Sequence, residues 1–341
     1  MHDPRQPLLI TGGAGFIGST LVRLALDHGF HVVTLDKLTY AGHRASLAEV
    51  LDHPGHTLVV GDITDPRAVS AVLAEYRPQA IVHLAAESHV DRSIANPPQF
   101  ATTNVVGTCV LLDATTRYWQ QLRMEVQQAF RFLNVSTDEV FGSAKLGEHF
   151  TEQSPIEPNS PYAASKAAAE HLGRAFAHTY QLPVITANPG NNYGPRQHPE
   201  KFIPKMILAA IRRQPLEIYG DGQQMRDWIH VEDCSSALLA VLAKGVPGSR
   251  YLVGADYCVA NLHVAEMICD IVDELMADGG NRRQWINHGA DRPGHDRRYA
   301  LNTDHVRSVT SWRPTHDFPT GLRQTVRWYT ENDAWIATVS K

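Results

Sequence analysis

Short apolar runs alternate with stretches of helical spacing through the first half of the chain. Leu8-Leu9-Ile10, His31-Val32-Val33-Thr34-Leu35, Leu58-Val59-Val60-Gly61-Asp62-Ile63, Ala80-Ile81-Val82-His83-Leu84-Ala85-Ala86, Phe130-Arg131-Phe132-Leu133-Asn134-Val135 and Val184-Ile185-Thr186-Ala187 read as strands. Their hydrophobicity is mostly continuous rather than alternating, which marks strands covered on both faces, as in a parallel sheet between helical layers. Helices are expected at Ser19–His28, at Asn104–Trp119 (Val105, Val106, Cys109 and Leu112 on one side), and up to Tyr180 from a start signal at Ser160-Pro161. This alternation predicts an α/β fold, a Rossmann-type doubly wound parallel sheet. After Ala187 the texture changes. Asn188-Pro189-Gly190-Asn191-Asn192-Tyr193-Gly194-Pro195 is rich in turn residues. Helices follow at Lys201–Arg213, Val231–Lys244, Asn261–Met276 and Thr320–Asn332, with a polar turn over Asp221–Trp228 and a charged loop over Asp291–Arg298. The expected division is a first domain over 1–187 to which 228–256 returns, and a smaller, mainly C-terminal lobe built from 188–227 and 257–341.

Composition narrows the function classes. With 341 residues, 43% apolar and 20% charged, the chain can bury a sizeable core. A net charge of −5 provides no field for nucleic acid or an anionic membrane. The four cysteines are scattered without a C-x-x-C, so neither a disulfide framework nor a zinc site is expected. Met1-His2-Asp3-Pro4-Arg5 lacks a signal-peptide pattern, and no apolar run is long enough to span a bilayer, so a cytoplasmic location without membrane contact is expected. The 18 histidines form no H-E-x-x-H cluster, and no metal is expected.

The first strand runs into Thr11-Gly12-Gly13-Ala14-Gly15-Phe16-Ile17-Gly18, where Gly12, Gly15 and Gly18 form a variant of the dinucleotide fingerprint. The first glycine permits the turn, the second lets backbone approach a pyrophosphate, and the third allows helix and strand to touch. The following helix aims its N-terminal amides at phosphate charge. The second strand ends in Asp36, an acid that accepts from ribose hydroxyls and repels a 2′-phosphate, which favours NAD over NADP. Asp62 closes the third strand, placed for the adenine edge, and small residues at the tip of the fourth let a nucleotide lie close.

Two further stretches carry proton chemistry. Asp138 and Glu139 follow the fifth strand. About two dozen residues later come Tyr162 and Lys166, spaced i, i+4 and so on one helical face. An ammonium beside a phenol favours phenolate, which makes Tyr162 a candidate base and Lys166 its tuner. Two proton-transfer centres in one site suggest more than one chemical step.

With these motifs assembled, the chain resembles the dTDP-glucose 4,6-dehydratases of the extended short-chain dehydrogenase/reductase family from Leu8 to about Trp335. The resemblance rests on Thr-Gly-Gly-Ala-Gly-Phe-Ile-Gly-Ser at 11–19, Asp-Lys-Leu-Thr-Tyr-Ala-Gly at 36–42, Leu-Ala-Ala-Glu-Ser-His-Val-Asp-Arg-Ser-Ile at 84–94, Ser-Thr-Asp-Glu-Val-Phe-Gly at 136–142, Ser-Pro-Tyr-Ala-Ala-Ser-Lys at 160–166, Asn-Asn-Tyr-Gly-Pro at 191–195, Pro-Glu-Lys at 199–201 and Asp-Arg-Pro-Gly-His-Asp-Arg-Arg-Tyr at 291–299. Sister epimerases share the glycines and the Tyr/Lys pair but typically lack the Asp-Glu. The resemblance implies a homodimeric hydro-lyase that converts dTDP-glucose to the 4-keto-6-deoxy sugar through a hydride stored on NAD. It implies that Tyr162 takes the 4-hydroxyl proton, Lys166 holds phenolate and nicotinamide ribose, Thr137 binds the 4-oxygen, Glu139 removes the carbon 5 proton and Asp138 protonates the departing 6-hydroxyl.

Carried over by position, the cofactor contacts are Phe16, Ile17, Asp36, Lys37, Leu38, Thr39, Asp62, Ile63, Leu84, Ala85, Ala86, Ser88, Thr103 and Asn192, besides the glycines, Tyr162 and Lys166. The substrate contacts are Ser88, Thr137, Asn191, Lys201, Phe202, Glu217, Ile218, Tyr219, Arg226, Asn261, Asp291, Arg292, Pro293, Gly294 and His295. Arg226 and Lys201 suit a diphosphate. Two positions depart from the family pattern. Pro189-Gly190 stands where Cys-Ser is usual, near the sugar, and His43 stands where Asn is usual, near the adenosine. Three readings therefore stay open: the dTDP-glucose dehydratase, the same fold acting on another sugar nucleotide such as UDP-glucose or a UDP-N-acetylhexosamine (or as a 4-epimerase), and a non-catalytic NAD-bound scaffold.

Overall fold

The computed structural model describes residues 7–340; the N-terminal residues from which the absence of a leader is read lie outside that range. The first half alternates as the apolar runs predict: β1 (Pro7–Thr11), α1 (Phe16–Asp27), β2 (His31–Asp36), β3 (His56–Val60), α2 (Pro66–Tyr76), β4 (Ala80–His83), α3 (Val90–Ala95), α4 (Pro97–Phe100), α5 (Thr108–Gln120), α6 (Met124–Ala129), β5 (Arg131–Val135), α7 (Pro161–Tyr180) and β6 (Val184–Pro189). Then come β7 (Asn191–Tyr193), α8 (Phe202–Ile211), β8 (Leu216–Tyr219), β9 (Met225–His230), α9 (Val231–Lys244), β10 (Arg250–Val253), β11 (Cys258–Ala260), α10 (Asn261–Met276), β12 (Ile286–Gly289), α11 (Asp304–Thr310), α12 (Phe318–Glu331) and α13 (Asp333–Val339).

Seven strands form one parallel sheet in the order β10-β6-β5-β4-β1-β2-β3. Side chains alternate across it. Leu8 and Ile10 join Val82, Leu133 and Ile185 against the α1 and α9 layer, while Leu9 joins Val33, Ile81 and Phe132 against Leu111 and Leu112 of α5. Each such side chain contributes ~1.5–3 kcal/mol when fully buried, so both faces of a central strand must be apolar. The chain winds outward through β2 and β3, then returns to place β4 on the other side of β1. A crevice opens at the strands' carboxyl ends at this reversal, where α/β sheets bind ligands.

A second core joins α8, α10 and α12 through Ile203, Met206, Ile207, Val264, Ile268, Leu322 and Val326. Two small sheets lie beside it, β11-β9-β7 and β12-β8. Helix α9 packs on α1, and β10 adds the seventh strand beside β6. Val306 and Trp312, from the stretch expected in the lobe, also pack in the sheet-side core.

Several elements differ from the sequence expectation. The segment Asp221–Trp228 is not a turn throughout. From Met225 it is strand β9, with Arg226 at 5% exposure and Asp227 at 1%. Its polar residues face a polar interior, where Asp227 accepts from the Ala255 amide at 3.2 Å, so hydrophobic pattern gives no strand signal. The third strand ends at Val60, leaving Asp62 in the following loop. The long helix begins as a π-helical turn, Ala101–Gly107, before α5. No element is read from the sequence at 66–76, where α2 starts with an Asp65 cap and Pro66.

Candidate active site

The crevice is a cleft of about 300 Å³, lined at one end by the glycine turn, Asp36 and Asp62 and at the other by Thr137, Asp138, Glu139, Tyr162, Lys166, Asn191 and Lys201. Gly12 has φ +73°, and a Cβ there would lie 2.6 Å from the Ala85 amide nitrogen, so only glycine lets the β1 turn abut the β4 tip. Asp36 is 7% exposed; it accepts from the Ala14 amide at 2.9 Å and the Leu38 amide at 2.8 Å. Burial raises its pKa, and those two amides oppose the rise. Among the expected cofactor positions, Phe16, Ile17, Lys37, Thr39, Ile63, Leu84, Ala85, Ala86, Ser88, Thr103 and Asn192 also line the cleft. Leu38 does not. Its side chain packs on the sheet core, and only its amide turns toward the site. Asp62 pairs with Lys37 at 2.6 Å through Oδ2 at the edge of the cleft. The glycine turn, the buried ribose-side acid and the unpartnered Asn192 Oδ1 fit a dinucleotide.

The acid pair sits on a 3-10 turn, Asp138–Phe141, capped by Thr137, whose hydroxyl accepts from the Glu139 amide at 3.3 Å and donates to Asp138 Oδ1 at 3.2 Å. Asp138 is 1% exposed and its Oδ2 has no partner. Burial and then the Glu139 charge push its pKa well above the carboxylate range. Glu139 also rises by burial, but Arg292, Arg226 and Lys201 pull it back, and it keeps some surface in the cleft. The two adjacent carboxyls therefore have different environments, one dry and one ringed by cations.

Ser160 caps α7 by accepting from the Ala163 amide at 3.0 Å, and the helix carries Tyr162 and Lys166 inward. Here the structure corrects the sequence reading of Lys166. Its ammonium donates to the Val135 carbonyl at 2.7 Å and is lowered by burial to about 8. The charges acting on Tyr162 are instead Glu139 and Asp138, which with burial raise the phenol's pKa, while the Thr137 hydroxyl opposes.

The expected substrate positions divide. Lys201 donates to the Ser88 carbonyl at 2.7 Å within the cleft, and Asn191 lines it with Oδ1 unpartnered. Arg226 lies over the Tyr299 ring at 4.2 Å and donates to the Asp296 carbonyl at 3.0 Å. Arg292 has its Nε buried without a partner, as is Asn261 Oδ1. Asp291 accepts from His295 at 2.7 Å, and Gly294, at φ +64°, lies close to the Asn159 carbonyl just before α7. Tyr219 donates to Asp91 at 2.9 Å. Ile218 and Phe202 are directed otherwise: Ile218 is 1% exposed in the lobe core, and Phe202 stacks on Trp228. Glu217 bonds Asn287 at the surface, and Pro293 is exposed. His230, Glu232 and His316 offer ligand atoms within 4.8 Å of one another. The two imidazoles stack at 4.0 Å and 25°, so their in-plane lone pairs do not converge on one ion.

The family model described as GDP-mannose 4,6 dehydratase matches residues 9–325. The chain belongs to that family. It is 48% identical over 333 residues to a dTDP-glucose 4,6-dehydratase of Xanthomonas campestris pv. campestris, covering 97% of this chain and 95% of the relative. It is 45% identical to dTDP-glucose 4,6-dehydratase 1 of Escherichia coli K12 over 97% and 95% of the two chains. DesIV, a dTDP-glucose 4,6-dehydratase from Streptomyces venezuelae solved with NAD bound, superposes with a TM-score of 0.90 at 42% identity, covering 98% of this chain and 100% of that one. A Thermus thermophilus UDP-glucose 4-epimerase in complex with NAD gives 0.84 at 28%, covering 96% of this chain and 100% of that one.

Within this family's fold, Pro189 and Gly190 both line the cleft. A Cβ at 190 would lie 2.8 Å from the Asp227 carbonyl oxygen, so this backbone path excludes the usual serine. His43 bonds the Tyr40 carbonyl at 2.7 Å and stacks on His198, another cleft residue that sequence reading did not single out. Gln197 also lines the cleft unforeseen, and Glu87 lines it within the expected cofactor stretch from Leu84 to Ser88. The available signal was Asn104 in an apolar helix: it binds Glu87 through both main-chain groups and Ser165 on α7 at 2.9 Å. Among the described residues, no helix is long and apolar enough to cross a membrane.

Proposed function

We propose that the chain converts dTDP-glucose to dTDP-4-keto-6-deoxyglucose, with NAD restored in each cycle. The observation carrying this reading is the unequal pair Asp138 and Glu139 beside Tyr162 in one cleft. The glycine turn, Asp36 and Lys166 would hold NAD, which when bound supplies a reversible hydride acceptor. Tyr162, once ionised to the phenolate, takes the proton of the sugar's 4-hydroxyl, and the Thr137 hydroxyl steadies the resulting 4-oxygen. The 4-ketone acidifies carbon 5, whose proton goes to Glu139, the carboxyl kept closer to its ionised state by three cations. Asp138, held protonated by its dry site, gives its proton to the 6-hydroxyl, and water leaves. A simple epimerase needs neither carboxyl. Lys201, Arg226 and Arg292 would receive the diphosphate, and Asn191 the sugar.

The same reading includes a nucleotide-binding part over 1–187 with 228–256, and a sugar-binding part over the remainder. It includes a homodimer through the helices expected at Asn104–Trp119 and Tyr162–Tyr180, supported by exposed Val106 and Tyr180, for which light scattering should give twice the 37.8 kDa chain mass. A cytoplasmic location belongs to it too, in keeping with the four unpaired cysteines. The test is direct: purified protein with dTDP-glucose should form a product with the alkaline absorbance of a 4-keto-6-deoxy sugar. Turnover of UDP-glucose without turnover of dTDP-glucose would replace the substrate assignment.

A further inference from the structure

Helix α7 carries a third ionisable residue on the face that bears Tyr162 and Lys166. Glu170 follows Lys166 by four residues and is 3% exposed. Its Oε1 accepts from Asn188 Nδ2 at 2.6 Å, and the same nitrogen donates to the Thr137 carbonyl at 2.9 Å. Its Oε2 accepts from Arg250 on β10 at 2.6 Å. One buried carboxylate thus links the proton-handling helix, the end of β6 and the turn bearing Asp138 and Glu139. A surface ion pair could be lost at little cost, but a carboxylate this deeply buried carries a desolvation cost of several kcal/mol and persists only where its partners are fixed. No apolar packing requirement explains an acid there.

We infer that Glu170 is a positioning residue for the proposed reaction: its carboxylate stands one helical turn from Lys166 on α7 and, through Asn188, fixes the Thr137 turn against that helix. The inference rests on the dehydratase reading for its chemical meaning. The groups facing Lys166 are few. Glu170 and Tyr162 share its helix, His83 faces it from β4, and Asp138 and Glu139 stand across the cleft. His83 is driven to about 3 and is neutral, held between Thr11 and Thr108 at 2.7 Å and 2.9 Å. Burial, then the Glu139 charge, raise the Asp138 carboxyl well above the usual carboxylate range. Burial lowers the Lys166 ammonium, and Glu170 is the anion that opposes this. Through Asn188 the carboxylate holds the Thr137 turn, whose hydroxyl opposes the rise of the Tyr162 phenol, so Glu170 acts on the first proton transfer without touching substrate.

The test compares Glu170→Gln, which keeps the reach and hydrogen-bonding capacity but not the charge, with Glu170→Asp, which keeps the charge but not the reach. The holoprotein is labelled at the lysine ε-carbons, and Lys166 is followed by NMR through a pH titration, assigned with Lys166→Arg. In Glu170→Gln the Lys166 titration and the alkaline limb of kcat should both move down by about one pH unit, with turnover above that limb falling about tenfold. In Glu170→Asp both should stay near the parent values while kcat falls uniformly across pH. Wild-type titration of Lys166 in the Glu170→Gln protein would overturn the inference, as would an unchanged Glu170→Gln pH profile. A purely structural role would instead lower melting temperature and kcat in both variants without moving either titration. If the parent protein turned over no sugar nucleotide, the function reading would fail, and the NMR titration would still decide the charge relation.

Discussion

Asp138 and Glu139 are neighbours in sequence and chemically unlike in place. The difference comes from what surrounds them, since a carboxyl in a dry pocket holds its proton and one facing Arg226, Arg292 and Lys201 releases it more readily. Sequence displayed the pair, because adjacency is a local property, but could not distinguish its members, because Arg226 and Arg292 arrive from distant segments. Two variants separate the roles. Glu139→Gln should still let the sugar be oxidised but abolish solvent deuterium uptake at carbon 5. Asp138→Asn should retain that uptake and lose product formation by ~10²–10⁴-fold. Measuring deuterium at carbon 5 by NMR checks both; uptake lost in Asp138→Asn and retained in Glu139→Gln would reverse the assignment. The pH dependence has the matching sign. Turnover should rise as Glu139 ionises and fall once Lys166 or Asp138 loses its proton, giving a bell-shaped profile.

At the scale of elements, the strands of the central sheet were legible because burial on both faces leaves continuous apolar runs. The small sheets were not. Strand β9 carries Arg226, Asp227 and His230 inward, and their partners, Tyr299, Ala255 and His316, cannot be known from local pattern. The tuning of Tyr162 by Lys166 was likewise read from helical spacing, which brings the residues near one another but does not reveal that Val135 claims the ammonium. The glycine turn gives a sharp element-level prediction. Gly12→Ala should leave the protein folded yet purify without NAD, read from its absorbance after denaturation, because its Cβ forces the β1 turn away from β4. Retained NAD would contradict that close approach.

A second element-level prediction concerns the start of α9. Asp233, 2% exposed, accepts from the Thr315 amide and hydroxyl at 2.9 and 2.7 Å and from the His316 amide and ring at 2.9 and 3.1 Å. Asp233→Ala strands these donors and should cost ~2–3 kcal/mol in denaturant unfolding. The partners agree in sign: Asp233 is depressed to about 2 and His316 is raised above 6.5. The Asp233 contribution is present above pH 3.8 and is lost as pH falls toward 2. The His316 contribution is complete below pH 6.5 and is lost as pH rises through its elevated folded value. His316→Gln should remove that alkaline loss, of ~1 kcal/mol.

For the whole molecule, the parallel sheet supplies the cofactor end of one cleft, and strand β9 and loops beside the second core supply the cations at its other end. Neither part closes the site alone: Glu139 sits on the sheet side, whereas Lys201, Arg226 and Arg292 come from beyond β6. This is why the reaction class could be read from motifs, whereas the direction of the Ile218 and Phe202 side chains could not: both pack in the lobe core. The central claim is that hydrogen leaves carbon 4 and returns to carbon 6 of the same sugar. The most direct measurement uses dTDP-glucose deuterated at carbon 4, with no NAD added beyond that carried by the protein. The account predicts deuterium at carbon 6 of a 4-keto-6-deoxy product by NMR and mass spectrometry. Label returned to carbon 4 with inverted configuration, or a sugar left unconsumed, would contradict it.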